Sequence, residues 1–318
     1  MPSLNQYYLH LFDKTQADLN WENPAVRREV QDIVRFWMGK GVRGFRFDVV
    51  NLISKGEFAD DLQGDGRRFY TDGPRIHEFL QELNRESFGQ DPEIITVGEM
   101  SSTSMENCFR YAGEDGKELS MVFSFHHLKV DFVGNEKWVL VPADFGKLKE
   151  ILFSWQEGMA EHGAWNAVFW CNHDQPRVVS RFGDEGAYWK QSAKMLAGVI
   201  HAMRGTPYIY QGEELGMTNA GFTRLDQYRD VESLNHFQIL RDKGMSEASG
   251  VCHPSGPLPG QQPHPHAVDC RPQRRLYHRG ALDFRQSQHR LHQRGGPGRR
   301  PGLHLRLLPV PHPSAQGV

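Results

Sequence analysis

Several common protein classes are excluded by what this chain has little of. No run of about 18 apolar residues occurs in its 318, so no ordinary transmembrane helix is expected. The start, Met1-Pro-Ser-Leu-Asn-Gln-Tyr-Tyr8, has neither the basic opening nor the apolar stretch of a secretion signal. Four Cys, at 108, 171, 252 and 270, have no paired metal spacing and are too sparse for a disulfide scaffold. Reduced thiols and a soluble, cytoplasmic protein are the expectation, with no metal and no cofactor. A net charge of −2 without a basic face argues against a nucleic-acid partner, and nothing suggests a membrane partner.

The last 70 residues lack whole residue types. From 249 to 318 there is no Lys, Ile, Asn, Met or Glu, while Leu, Pro, His, Gln and Arg supply 44 residues, including ten Arg against two acids, Asp269 and Asp283. Those five enriched types share codons that begin with C, which points to a GC-rich gene read in a shifted frame. The alternative is a natural Pro/Arg/His-rich linker or metal-binding tail, although its His spacing makes no recognisable tetrahedral site. Residues 248–318 are expected to be disordered in either case.

What is present before that tail alternates between two periods. Apolar residues recur at helical spacing over 23–40, with Asn23 as N-cap and Pro24 at the first helical position, and again over 74–88, 144–160 and 186–203. Between them lie apolar, strand-like runs at 43–49, 94–99, 119–125, 164–170 and 207–210. Strands alternating with helices predict parallel β/α units of an α/β fold. Polar groups follow each strand: Asp48, Glu99, His126-His127, His173-Asp174 and Glu213-Glu214. Convergence at strand ends predicts a (β/α)8 barrel with its site on that face. A doubly wound sheet would favour a Gly-rich phosphate turn after its first strand, and none is present.

Within Gly44-Phe-Arg-Phe-Asp48-Val49, strand alternation would put Arg46 and Asp48 side by side on one face. A guanidinium favours the ionised carboxylate beside it, which suits a nucleophile; it equally suits a structural ion pair. Glu99 closes a strongly apolar strand, so burial would raise its pKa and suit it as an acid. Trp21, Phe69, Tyr70, Phe123 and Trp170 are candidates to stack on sugar rings, with Phe123 and Trp170 better read as core. Two carboxylates flanking one bond are what glycosidic cleavage requires.

The ordered motifs Gly44-Phe-Arg-Phe-Asp48, Val97-Gly-Glu99 and Asn172-His-Asp174 resemble the second, third and fourth signature regions of the α-amylase family, glycoside hydrolase family 13. Gln16-Ala-Asp-Leu-Asn20 is similar to its auxiliary fifth region. The resemblance implies retention at an α-anomeric centre, with Asp48 as nucleophile, Glu99 as general acid/base, Asp174 as transition-state stabiliser, and Arg46 and His173 around the cleaved sugar. Gln211-Gly-Glu-Glu-Leu-Gly-Met217 resembles the oligo-1,6-glucosidase-type branch, which acts on short substrates from the end. Leu119-Ser-Met-Val-Phe-Ser-Phe-His-His-Leu-Lys-Val-Asp131 and the following Lys137-Trp resemble trehalose-6-phosphate hydrolases, which implies a sugar-phosphate substrate. His126, Lys129 and Lys137 are then candidates to bind the phosphate. Hydrolysis of a short neutral α-glucoside is the alternative.

The resemblance covers about residues 4–245. It implies residues 1–20 as the remnant of an inserted loop domain and 21–247 as a partial catalytic barrel of about strands 4 to 8; a monomer is expected. The family's first region is absent, so the chain by itself is expected to be inactive or nearly so. A noncatalytic sugar-binding relative would have lost the acid, whereas Asp48, Glu99 and Asp174 are all present; a fragment with no function of its own is the third reading.

Overall fold

The structure is a computed structural model that describes residues 7–244 apart from 58, 60, 63–65, 114–116, 134–135 and 223; the side chains of 136–140 and 231 are also outside the description. The 248–318 tail, with Cys252 and Cys270, therefore lies outside the described residues. Five strands, β1 (Gly44–Phe47), β2 (Ile95–Glu99), β3 (Met121–Phe123), β6 (Asn166–Phe169) and β7 (Thr206–Tyr208), form one parallel sheet in chain order. Between β3 and β6, β4 (Phe132–Val133) and β5 (Glu136–Leu140) pair as a separate two-stranded sheet. Helices α1 (Pro24–Gly39), α2 (Ile76–Glu86), α3 (Met105–Ala112), α4 (Phe145–Glu161), α5 (Val178–Phe182), α6 (Trp189–His201) and α7 (Val231–Asp242) complete the elements. Successive parallel β/α units make a partial (β/α)8 barrel, with β1 and β7 at the sheet's edges.

Chain contacts divide the described residues into two compact units. The first takes in those of Met1–Lys137, Val141–Phe169 and Ala202–Tyr208, and so holds the whole parallel sheet; the second takes in those of Trp138–Leu140, Trp170–His201 and Ile209–Val318.

Local chemistry accounts for most boundaries. Asn23 accepts a hydrogen bond from the Ala25 N–H, and Pro24 opens α1, as expected. In α2 the predicted stripe Ile76, Phe79, Leu80 and Leu83 is fully inward. In α1 the apolar positions divide: Val34 is buried and Val30 and Met38 pack on the core, whereas Ile33, Phe36 and Trp37 are exposed. Helix α3, unforeseen in the sequence, starts where the Ser104 hydroxyl accepts from the Asn107 N–H. Its buried face is only Cys108, Tyr111 and Ala112, too short a stripe to register as periodic. Phe123 and Trp170 are buried, in line with the core reading.

The glycine before Glu99 is a packing requirement. A Cβ on Gly98 would lie 2.5 Å from Leu119 Cδ1 and from Met100 Cε, and 3.2 Å from Val50 Cγ1. Gly98→Ala should therefore lower stability by roughly 1–3 kcal/mol through overpacking. Urea unfolding checks this; an unchanged midpoint would show that the surrounding methyls relax freely.

Candidate active site

The site begins where β1 stops. The strand ends at Phe47, one residue before Asp48, so strand pairing does not itself fix this carboxylate, although it stands beside Arg46 as the sequence expectation has it. A turn does. Val49, also expected in the strand, has a left-handed backbone with φ of 35°, a costly conformation for a β-branched residue. The turn brings the Val49 N–H near enough to the Glu99 carboxyl to favour its ionised form. Parallel pairing of β1 with β2 brings Phe47 opposite Gly98, which sets the two carboxylate-bearing ends side by side.

Arg46 joins the pair. Its Nη1 donates to Asp48 Oδ1 at 2.7 Å, and its Nη2 donates to Glu99 Oε2. The environments of the two acids differ sharply: the Asp48 side chain is 70% exposed, while Glu99 as a residue is 7% exposed. Burial pushes the Glu99 carboxyl up to about 7; its hydrogen bond with Asp48 and the charge of Asp48 push the same way, while Arg46 and the Val49 N–H pull it down. Near neutral pH a substantial share of Glu99 is therefore protonated, as a general acid requires. Both carboxyls bond the single guanidinium of Arg46, so they lie near one another at the ends of adjacent strands.

The turn after β3 carries His126 and Lys129. His126 stacks against Trp155 with ring centroids 5.0 Å apart, and its Nδ1 is buried without a hydrogen-bond partner among the described residues. Burial, then the Lys129 charge, lowers its pKa, so His126 offers a neutral ring rather than the positive charge expected of it. Burial and then the charge of Arg67 lower the pKa of Lys129. Arg67, which the sequence did not single out, thus lies close to Lys129, and its Nη1 donates to the Ser102 hydroxyl at 3.3 Å. Arg67 sits in a short 3-10 turn within a Gly/Asp-rich stretch that has no periodicity to mark it. Lys137 lies in β5, and its side chain is outside the described residues.

His173 and Asp174 belong to the second unit. There His173 Nε2 lies 3.2 Å from Asp174 Oδ2, and the Asp174 N–H donates to Asn172 Oδ1 at 2.8 Å; both side chains are about half exposed. Glu213 is drawn into a different role, accepting from the Cys171 thiol at 3.2 Å and from the Tyr210 N–H at 3.3 Å. Among the described residues no group of three His, Cys, Asp or Glu is arranged to hold a metal ion. No helix among them is long and apolar enough to cross a membrane.

Comparison with known proteins matches these residues to a family. Residues 2–249 match the description "Alpha amylase, catalytic domain". The chain is 64% identical over 243 residues to the trehalose-6-phosphate hydrolase of Bacillus subtilis (strain 168), covering 76% of this chain and 43% of that protein. It is 49% identical over 240 residues to the oligo-1,6-glucosidase of Bacillus cereus, covering 74% and 43%. A crystal structure of Bacillus licheniformis trehalose-6-phosphate hydrolase superposes with a TM-score of 0.72 at 61% identity, covering 77% of this chain and 44% of that one. The chain spans less than half the length of these relatives. With its parallel β/α units and its Arg46-linked carboxyl pair, the chain belongs to the α-amylase family, glycoside hydrolase family 13.

Proposed function

We propose that the site serves retaining hydrolysis of trehalose 6-phosphate to glucose and glucose 6-phosphate. The observation that carries the chemistry is the unequal carboxyl pair on Arg46: an exposed Asp48 beside a buried Glu99 whose pKa is near 7. Asp48 attacks the anomeric carbon while Glu99 protonates the departing oxygen, giving a glycosyl-enzyme ester on Asp48 and the free second sugar. Glu99, now ionised, takes a proton from water, which attacks the same carbon and releases glucose with net retention. Arg46 balances the carboxylate charge throughout. Asp174 and His173 enter by their family motif, as stabiliser of the oxocarbenium-like transition state and as a partner of the sugar hydroxyls.

The substrate assignment rests on identity, 64% to a trehalose-6-phosphate hydrolase against 49% to an oligo-1,6-glucosidase, and on the cationic turn after β3. Lys129, Arg67 and, by resemblance, Lys137 supply the charge for a phosphate, and His126 supplies a ring nitrogen. Because the chain spans 43% of the Bacillus subtilis relative, the test is a chimaera in which this chain replaces the matched segment of that enzyme. It should release glucose from trehalose 6-phosphate far faster than from trehalose or isomaltose. Preference for isomaltose would favour the neutral-glucoside reading, and a folded chimaera inactive on all three would overturn the hydrolase assignment.

The phosphate reading has its own test. Lys129→Ala combined with Arg67→Ala should raise KM for trehalose 6-phosphate by about 10²-fold or more, since hydrogen bonds to charged groups contribute ~1.5–3 kcal/mol each. KM for 4-nitrophenyl α-glucoside should change by less than about threefold. Equal losses on both substrates would remove the phosphate site.

A further inference from the structure

Beyond the reacting groups, the loop that carries Asp48 and the loop that carries Glu99 are joined by one fully buried side chain. Asn51 lies three residues after Asp48, in the 3-10 turn Val50–Leu52, and is 0% exposed. Its Nδ2 donates to the Ser101 carbonyl at 2.8 Å, and its Oδ1 accepts the Ser101 N–H at 2.9 Å. Ser101 lies two residues after Glu99. This two-way bond resembles the exchange between paired strands, but it occurs beyond the last paired residues, Phe47 and Gly98, where the two backbones no longer bond directly. A side-chain amide thereby continues the β1–β2 connection past both carboxylates.

The amide is itself anchored. Its Nδ2 also donates to Asp72 Oδ1 at 3.0 Å, and the Asp72 N–H returns a bond to the Asn51 carbonyl at 3.0 Å. Asp72 adopts a left-handed backbone, with φ of 50°, and accepts from the Tyr111 hydroxyl at 2.6 Å and from Asn107 Nδ2 at 2.9 Å. Those two partners project from α3, whose Tyr111 is wholly buried. Asn51 uses both amide protons and its carbonyl, so no rotation or flip of its side chain preserves the set. Replacing it leaves the Ser101 backbone groups and Asp72 short of buried partners.

We infer that Asn51 is a positioning residue: its amide, anchored on Asp72 and α3, fixes the separation of the Asp48 and Glu99 loops and thereby their shared hydrogen bond on Arg46. The role in catalysis rests on the hydrolase reading above, but the geometric role does not. A purely stabilising staple would alter the melting temperature and leave the carboxyl pair untouched. A positioning clamp is read out at Glu99, whose raised pKa depends on burial and on its contact with Asp48.

The test follows the Glu99 carboxyl carbon by NMR against pH in the full chain. The parent should titrate near 7; Asn51→Ala should move the midpoint down by a unit or more, and Asn51→Ser, which keeps one hydroxyl for the Ser101 backbone, by less. Should Asn51→Ala not fold, the Asn51→Ser titration decides by the same criterion of a resolved downward shift. Leu83→Ala, a cavity on α2 away from the strand ends, provides the control for lost stability. A midpoint that stays at the parent value in a folded Asn51 variant, or that moves as far in Leu83→Ala, overturns the assignment. In the chimaera Asn51→Ala should lower kcat by about 10²-fold with KM within about threefold. A chimaera without activity would refute the hydrolase reading while leaving the titration to decide the clamp.

Discussion

Replacing Glu99 with glutamine is expected to remove most activity and, above neutral pH, to make the protein more stable. In the chimaera the loss on trehalose 6-phosphate should be about 10²–10⁴-fold, the usual scale of general acid catalysis. It should be much smaller for 4-nitrophenyl α-glucoside, whose leaving group departs without a proton. The stability change follows from linkage. The Glu99 pKa is about 7 in the folded protein against a reference of 4.5, so between those values the folded state holds a proton that the unfolded state does not. Stability therefore falls as pH rises through that window, by ~3 kcal/mol at most when the whole shift is counted. Glutamine cannot ionise and still offers an N–H to Asp48. The variant should gain nothing at pH 4 and gain increasingly up to about pH 8, in urea unfolding followed by circular dichroism. The same pKa predicts that kcat/KM of the parent declines as pH rises through about 7, because the general acid must be protonated. Equal stability of parent and variant at pH 8 would mean that Glu99 is solvated and unsuited to this role.

Replacing Asp48 with asparagine should cost still more activity, ~10⁴-fold or beyond, which is the scale on which loss of a nucleophile acts. Here the loss should be nearly equal for good and poor leaving groups, because no ester can form with either. A second effect follows from the geometry. Asp48 raises the Glu99 pKa through both its hydrogen bond and its charge, and Arg46 would then face one carboxylate alone, so Glu99 should titrate lower than in the parent. The parent treated with a fluorinated α-glucosyl fluoride should carry the sugar on the peptide containing Asp48. The competing reading, in which Arg46 and Asp48 form a structural ion pair, predicts a modest loss in the variant and no labelled peptide. With an Asp48 side chain that is mostly exposed, such a pair would contribute little to stability.

The carboxylates were legible in the sequence because each ends an apolar run, and burial of Glu99 could be anticipated from Ile94-Ile-Thr-Val-Gly before it. Val49 reads as strand for the same reason: a valine after Phe-Arg-Phe-Asp continues the pattern, yet its backbone is left-handed, with φ of 35°. The stripe on α1 is likewise only partly used, since Ile33 and Trp37 match helical spacing yet remain exposed. Arg67 left no signal, being one of several basic residues in an aperiodic stretch.

The order of parallel β/α units and the family follow from the sequence alone, and so does the choice of Asp48 and Glu99 as candidates, because hydrophobic period and short motifs are local properties of the chain. Tertiary structure decided how the pair is tuned and held. Burial of one carboxyl against exposure of its neighbour, the approach of Arg67 to Lys129 across about 60 positions of chain, and the bond from Asn51 to Ser101 act through space. Desolvation, Coulomb interaction and hydrogen bonding depend on distances that sequence separation does not encode.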